Sequence, residues 1–202
     1  AGGGTGGRRA VAGEGGAGTA RGRTHGGWSA VDATLERLGR TPEYVETPAG
    51  VTGRFTDAET MEVFTMVMPG QLNTAITVEL RAVGVDAVGL SGVDGGLLRG
   101  PRKSAVRIVE DGRKRIRRGD HAGRIEQVNV PLLRLLLEAG YTPVVSVPML
   151  ADDGVAVNAD ADRAAAAIGA DNVATVVLLT DVPRVSADPD APTTPHETRQ
   201  TP

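Results

Sequence analysis

Apolar positions recur at helical spacing along some stretches of the chain and run unbroken along others. From Ser29 to Leu38 the spacing of Val31, Leu35 and Leu38 predicts a helix, with Gly39 as its stop. Thr56 followed by Glu59 reads as a capping box, and Met61, Phe64, Thr65 and Met68 share one face of the helix after it. Pro69-Gly70 is expected to kink or break that helix, with a second helical stretch from Gln71 to Val83. Val130 to Ala139 reads as a helix with Pro131 in its first turn and Gly140 at its end, and Ala161 to Ile168 as another. Between these lie short apolar runs, Val85–Leu90, Val144–Val147 and Val173–Leu179, which read as buried strands. Strands alternating with helices at this spacing predict an α/β fold: a mainly parallel sheet with helices on both faces.

Residues 102–128 break the alternation. Ala105–Val109, Arg113–Arg117 and Arg124–Val128 are β-type runs, joined by Glu110-Asp111-Gly112 and Gly119-Asp120. Asp-Gly after an alternating run is a hairpin signal, so an antiparallel hairpin insertion is expected within 99–128. Residues 99–126 hold ten Arg or Lys against four Asp or Glu, so the segment is +6 in a chain of net charge -3. Three readings of it stay open: a solvated hairpin whose charges protect an edge, a nucleic-acid-binding arm, and a docking site for an acidic protein. No aromatic residue lies in it to stack on bases, which disfavours nucleic acid.

Composition separates the two ends from the middle. Ten of the 28 glycines lie in residues 1–23, and five of the 12 prolines in residues 183–202. Residues 1–23 and 184–202 are therefore expected to be disordered, leaving 24–183 as the folded domain. The two G-x-G-x-x-G matches in the head are chance products of its glycine content. The chain has no cysteine, which excludes a disulfide framework and a thiolate metal site, and its three histidines offer no metal cluster. No apolar run reaches the ~18 residues of a membrane helix, and no secretory h-region is present, so a cytoplasmic protein is expected.

Four segments carry polar or glycine-rich chemistry where an α/β sheet would place a ligand: Thr24–Gly27, Gly53–Asp57, Gly89–Gly96 and Val157–Asp162. Gly26-Gly27 precedes a helix N-terminus, where free N–H groups can hold an anion, or is simply a tight turn. Arg54 is a forked cation suited to a carboxylate, or a solvated loop residue. Asn158 and Asp160 precede a helix; Asp160 taken alone reads as an N-cap.

The order of these segments resembles the amino acid kinase family. It is most similar to N-acetylglutamate kinases and to the kinases that act on aminoadipate or glutamate held on the LysW carrier protein. The matching motifs are H-G-G-W-S-A-V-D, G-V-T-G-R-F-T-D-A-E-T-M-E-V-F, V-G-L-S-G-V-D-G-G-L-L, A-V-N-A-D-A-D-R-A-A-A-A and V-V-L-L-T-D-V-P, spanning residues 24–183. The resemblance implies that Gly26 and Gly27 hold substrate through backbone amides and that Arg54 pairs with a substrate carboxylate. It further implies that Asn158 contacts substrate, that Asp160 organises the catalytic lysines, and that Thr180 and Asp181 open the nucleotide half. ATP and Mg²⁺ are the implied cofactors, with no metal held by protein ligands. An acidic LysW-like carrier on the basic segment and a homodimer are the implied partners. Ala156 stands where the family's motif has a first asparagine. The only lysines are Lys103 and Lys114, so the catalytic lysines of the family have no counterpart, and the chain is expected to be incomplete at both ends and impaired as a catalyst. N-acetylglutamate kinase activity and a non-catalytic binding fragment are the alternatives.

Overall fold

The computed structural model describes residues 21–25, 28–48, 50, 52–110, 113–170 and 175–179. Gly26, Gly27, Thr180 and Asp181 lie outside the described residues. The first strand, β1 (Arg21–His25), is followed by α1 (Trp28–Arg37). Two short strands come next, β2 (Tyr44–Glu46) and β3 (Thr52–Arg54). They are followed by α2 (Ala58–Thr65), a wide π-type segment (Met66–Asn73) and α3 (Thr74–Ala82). Then come β4 (Ala87–Gly92), β5 (Leu98–Gly100), β6 (Arg102–Glu110), β7 (Arg113–Gly123) and β8 (Gln127–Val128). The described chain closes with α4 (Val130–Glu138), β9 (Thr142–Ala151), β10 (Ala156–Val157), α5 (Ala161–Ala170) and β11 (Thr175–Leu179).

The mainly parallel sheet is present, and β9 is its hub. Its first half lies parallel between β1 and β4, and its second half pairs with β5 and, antiparallel, with β10. Beyond β1 the sheet continues in parallel to β11. A strand with neighbours on both sides and layers over it is buried throughout its length. Accordingly Val144, Val145, Val147, Met149 and Ala151 all sit in the core. The head predicted as disordered ends earlier than its composition implies: Arg21–Arg23 already belong to β1. That strand has no apolar run of its own; it forms because its backbone is paired on both edges, by β9 and β11.

Helices follow the predicted periodicity with three corrections. Val31 and Leu35 are buried but Leu38 is 59% exposed, because the helix ends at Arg37 and Gly39 turns the chain at φ +77. Pro69 does not break its helix. The backbone continues from α2 to α3 through the π-type turn, which absorbs the missing proline N–H, and Val67 and Met68 remain buried on the same side as Met61 and Phe64. The N-cap of α2 is Asp57, whose carboxylate accepts the Thr60 N–H at 2.7 Å. Thr56, the expected cap, is fully buried and bonded elsewhere.

The basic hairpin is more than an insertion. Its strands are β6 and β7, antiparallel over Glu110↔Arg113 to Arg102↔Gly123. They join β2 and β3 to make a second, four-stranded sheet in the order β3-β2-β6-β7. The flanking residues 98–100 and 127–128 belong to the central sheet, as β5 and β8. No helix among the described residues is long and apolar enough to cross a membrane.

Close approach at the end of β4 makes one glycine indispensable. A Cβ on Gly92 would lie 2.5 Å from the Pro148 carbonyl oxygen and 2.8 Å from Leu98 Cδ1. At Gly53 a Cβ would meet nothing within 4 Å. Gly92→Ala is therefore expected to cost about 1–3 kcal/mol in urea unfolding, while Gly53→Ala stays within about 0.5 kcal/mol.

Candidate functional site

Three chain segments meet where β7 ends. Thr56, at the entry to α2, donates its N–H to Asp120 Oδ1 at 3.2 Å, and its carbonyl accepts the His121 N–H at 2.7 Å. The His121 carbonyl accepts the Asn158 N–H, and the Asn158 carbonyl accepts the Gly123 N–H, both at 2.7 Å. The Asn158 side chain adds a bond from Nδ2 to Thr56 Oγ1 at 3.2 Å. Thr56, Asp120 and Asn158 are all buried. These bonds explain why buried polar groups are tolerated here: most find a partner in another segment. One does not. Asn158 Oδ1 is buried with no hydrogen-bond partner, so a donor brought by a ligand would satisfy it.

Arg54 lies on the neighbouring strand pair. The β2–β3 register sets Tyr44 directly opposite Arg54, on the same face of the ribbon. The guanidinium stands 5.3 Å from the Tyr44 ring centre, and its Nη2 donates to Tyr44 Oη at 3.2 Å. Tyr44 in turn donates to Asp32 Oδ2 at 2.6 Å. Asp32 sits on α1 next to the buried Val31 and forms an ion pair with Arg54 Nη2. The Arg54 side chain is fully buried and that of Asp32 is 23% exposed. Burial pushes the Tyr44 phenol above its ordinary value and the hydrogen bond to Asp32 adds to this, while the Arg54 charge opposes it.

The predicted site residues are thus placed differently from one another. Arg54 and Asn158 are buried, on segments joined through Phe55 and Thr56. Asp160 is exposed; it caps α5, its Oδ1 accepting the Arg163 N–H at 2.9 Å. Among the described residues no group of three His, Asp or Glu is arranged to hold a metal ion. Asp32, Tyr44, Thr56, Asp120 and His121 were not singled out by the sequence reading as site residues. The Tyr44–Arg54 pairing had a usable signal: Thr47, Pro48 and Gly50 mark a turn between two short extended runs. Nothing in the sequence ties residues 56, 120 and 158 together.

The two carboxylates flanking Thr56 respond oppositely to pH. Burial is the largest influence on Asp120 and raises its carboxyl above the ordinary value, against the Thr56 N–H and the charges of His121 and Lys103. Burial also pushes Asp57 up, but the Thr60 hydrogen bonds and the Arg40 and His121 charges outweigh it, and Asp57 lies below its ordinary value. A raised carboxyl favours the fold below the ordinary pKa and loses that contribution as pH rises through the folded value; a lowered one does the reverse. Asp120→Asn is therefore expected to be more stable than the parent at neutral pH, losing that advantage below about pH 4. Asp57→Asn is expected to be less stable at neutral pH, with the deficit closing in acid. Urea unfolding across the pH range checks both signs.

A model of the amino acid kinase family matches residues 19–199. The chain is 45% identical over 165 residues to a protein of Deinococcus radiodurans named [LysW]-aminoadipate kinase, covering 81% of this chain and 56% of that one. It is 44% identical over 171 residues to one of Methanopyrus kandleri named acetylglutamate kinase, covering 84% and 65%. The chain therefore spans less than two thirds of either relative. Its fold matches that of N-acetylglutamate synthase from Neisseria gonorrhoeae, solved with coenzyme A and L-arginine, with TM-score 0.56 and 21% identity over 88% of this chain and 46% of that one.

Proposed function

The chain belongs to the amino acid kinase family, and from that membership we propose that it carries the amino-acid-binding part of an ATP-dependent kinase. Its substrate is aminoadipate or glutamate held on an acidic carrier protein, and the side-chain carboxylate becomes an acyl phosphate, a step of lysine or arginine biosynthesis. Two anions must meet in such a reaction, so the protein's work is positioning and charge neutralisation. In this reading Arg54 takes the substrate's free carboxylate. Asn158 Oδ1, buried and unbonded, accepts an N–H of the substrate. Asp160, already fixed as the cap of α5, orients cationic groups around the reacting carboxylate. Gly26 and Gly27 offer backbone amides, and Thr180 and Asp181 begin the nucleotide half. ATP, with Mg²⁺, supplies the phosphoryl group when bound. Both lysines of the chain lie on the hairpin, in β6 and β7, so the nucleotide's part of the reaction rests on the family alone.

The carrier-dependent reading rests chiefly on the two faces of the hairpin. Of the three arginines that the register puts on the face carrying buried Ile108, Arg115 and Arg117 are engaged and Arg113 is exposed. Arg117 stacks on Phe55 at 4.2 Å and donates to Glu43 Oε2 at 2.8 Å, and Arg115 pairs with Glu110 at 2.8 Å. The register puts Arg107, Ile116, Lys114 and Arg118 on the other face. All four are exposed, and among the described residues no carboxylate pairs with these three cations. Ile116 stands 68% exposed among them. An apolar spot ringed by exposed cations fits an acidic protein surface and would speed its encounter. The relative named acetylglutamate kinase supports a second reading, in which the free N-acylated amino acid is the substrate.

Calorimetric titration of the chain with carrier-bound aminoadipate, carrier-bound glutamate and N-acetylglutamate separates these readings. Binding of N-acetylglutamate alone would overturn carrier dependence. Replacing Arg107, Lys114 and Arg118 together by Gln is expected to weaken binding of the loaded carrier about tenfold. Affinity for N-acetylglutamate should not change. The effect should be larger at low salt.

A further inference from the structure

The Arg54 cluster already holds a carboxylate of the protein itself. A fully buried guanidinium needs a counter-charge, and in this structure Asp32 supplies it. Asp32 Oδ1 and Tyr44 Oη each contact Arg54 Nη2. Nη2 is also the nitrogen that an incoming carboxylate would share in a forked contact, whichever edge of the guanidinium it approached. Asp32 itself keeps a route to water, its side chain being 23% exposed, and its other oxygen is tethered by the Tyr44 hydroxyl.

We propose that Asp32 is an internal competitor for Arg54, a carboxylate of the protein that occupies the guanidinium until a ligand carboxylate displaces it, with Tyr44 holding it in place. This rests on the reading that Arg54 binds the substrate carboxylate. The pair lowers the affinity for every carboxylate ligand alike. A small free acid then binds weakly, while a ligand with a second anchor, such as one delivered on a docked carrier, still binds. Removing Asp32 takes a carboxylate away from a buried cation, and a ligand carboxylate then supplies one in its place.

The test is calorimetric titration of the chain with N-acetyl-L-2-aminoadipate, together with the thermal shift that this probe produces. Asp32→Asn is expected to melt lower than the parent without ligand. It should bind the probe roughly five- to tenfold more tightly and gain more in melting temperature on saturation. Tyr44→Phe, which keeps both charges and removes the tether, should shift affinity in the same direction by a smaller factor; it carries the test if Asp32→Asn does not fold. Binding by Asp32→Asn where the parent shows none also supports the proposal. Equal or weaker binding by these variants overturns it and makes Asp32 a positioning residue, as does absence of binding in all of them. Arg54→Gln separates the premise from the proposal. If it leaves probe binding by the parent unchanged, Arg54 is not the anchor, and the substrate reading fails along with the competitor.

Discussion

The site depends on how one buried threonine is bonded. Thr56 is completely enclosed, so its N–H, carbonyl and hydroxyl must be satisfied by protein. They are satisfied by Asp120, His121 and Asn158, from a hairpin strand and from the loop leading into α5. Losing either segment would strand polar atoms away from water, a penalty of about 1–3 kcal/mol for each. The second sheet is therefore bound to the central one by polar necessity as well as by apolar packing. Residues 54 and 158, more than a hundred positions apart, are thereby brought onto adjoining segments.

A second constraint shapes the same region. Arg54 is buried and Asp120 is buried, and the two charges are handled in different ways. Arg54 is compensated by an ion pair and an aromatic face. Asp120 has a backbone N–H as a partner, and burial dominates its titration. The region thus holds one buried cation paired with Asp32 and one buried carbonyl oxygen, on Asn158, without a hydrogen-bond partner among the described residues. The hairpin divides its charges by strand alternation. One face engages Arg115 with Glu110 and Arg117 with Glu43 and Phe55, and the opposite face holds Arg107, Lys114 and Arg118 exposed around Ile116.

Much of the scaffold was legible because burial leaves a periodic trace. The unbroken run at Val144–Val147 reads as a buried strand since it lies between two parallel neighbours, and the structure extends it over Thr142–Ala151. The Asp-Gly turn and the alternation around it locate the hairpin. The limits are equally physical. Pro69 remains within a helix because a wide π-type turn can dispense with its N–H, and no local residue preference announces that. Thr56 carries the signature of a cap, yet tertiary bonds claim it and Asp57 caps instead.

By itself, then, the sequence determined the α/β class, the hairpin and its charge, and the motifs that place the chain in its family. All of these reside in local order and composition. Only the tertiary structure decided which charges are available. Arg54 reads as a free forked cation, but the β2–β3 register and the packing of α1 give it Tyr44 and Asp32 as partners. The hairpin reads as a uniform basic segment, but folding it engages Arg117 with Glu43 and Phe55 on one face and leaves Arg107, Lys114 and Arg118 exposed on the other. Sequence records which charges a chain carries; their pairing depends on distances between residues far apart in the chain, and those exist only once it is folded.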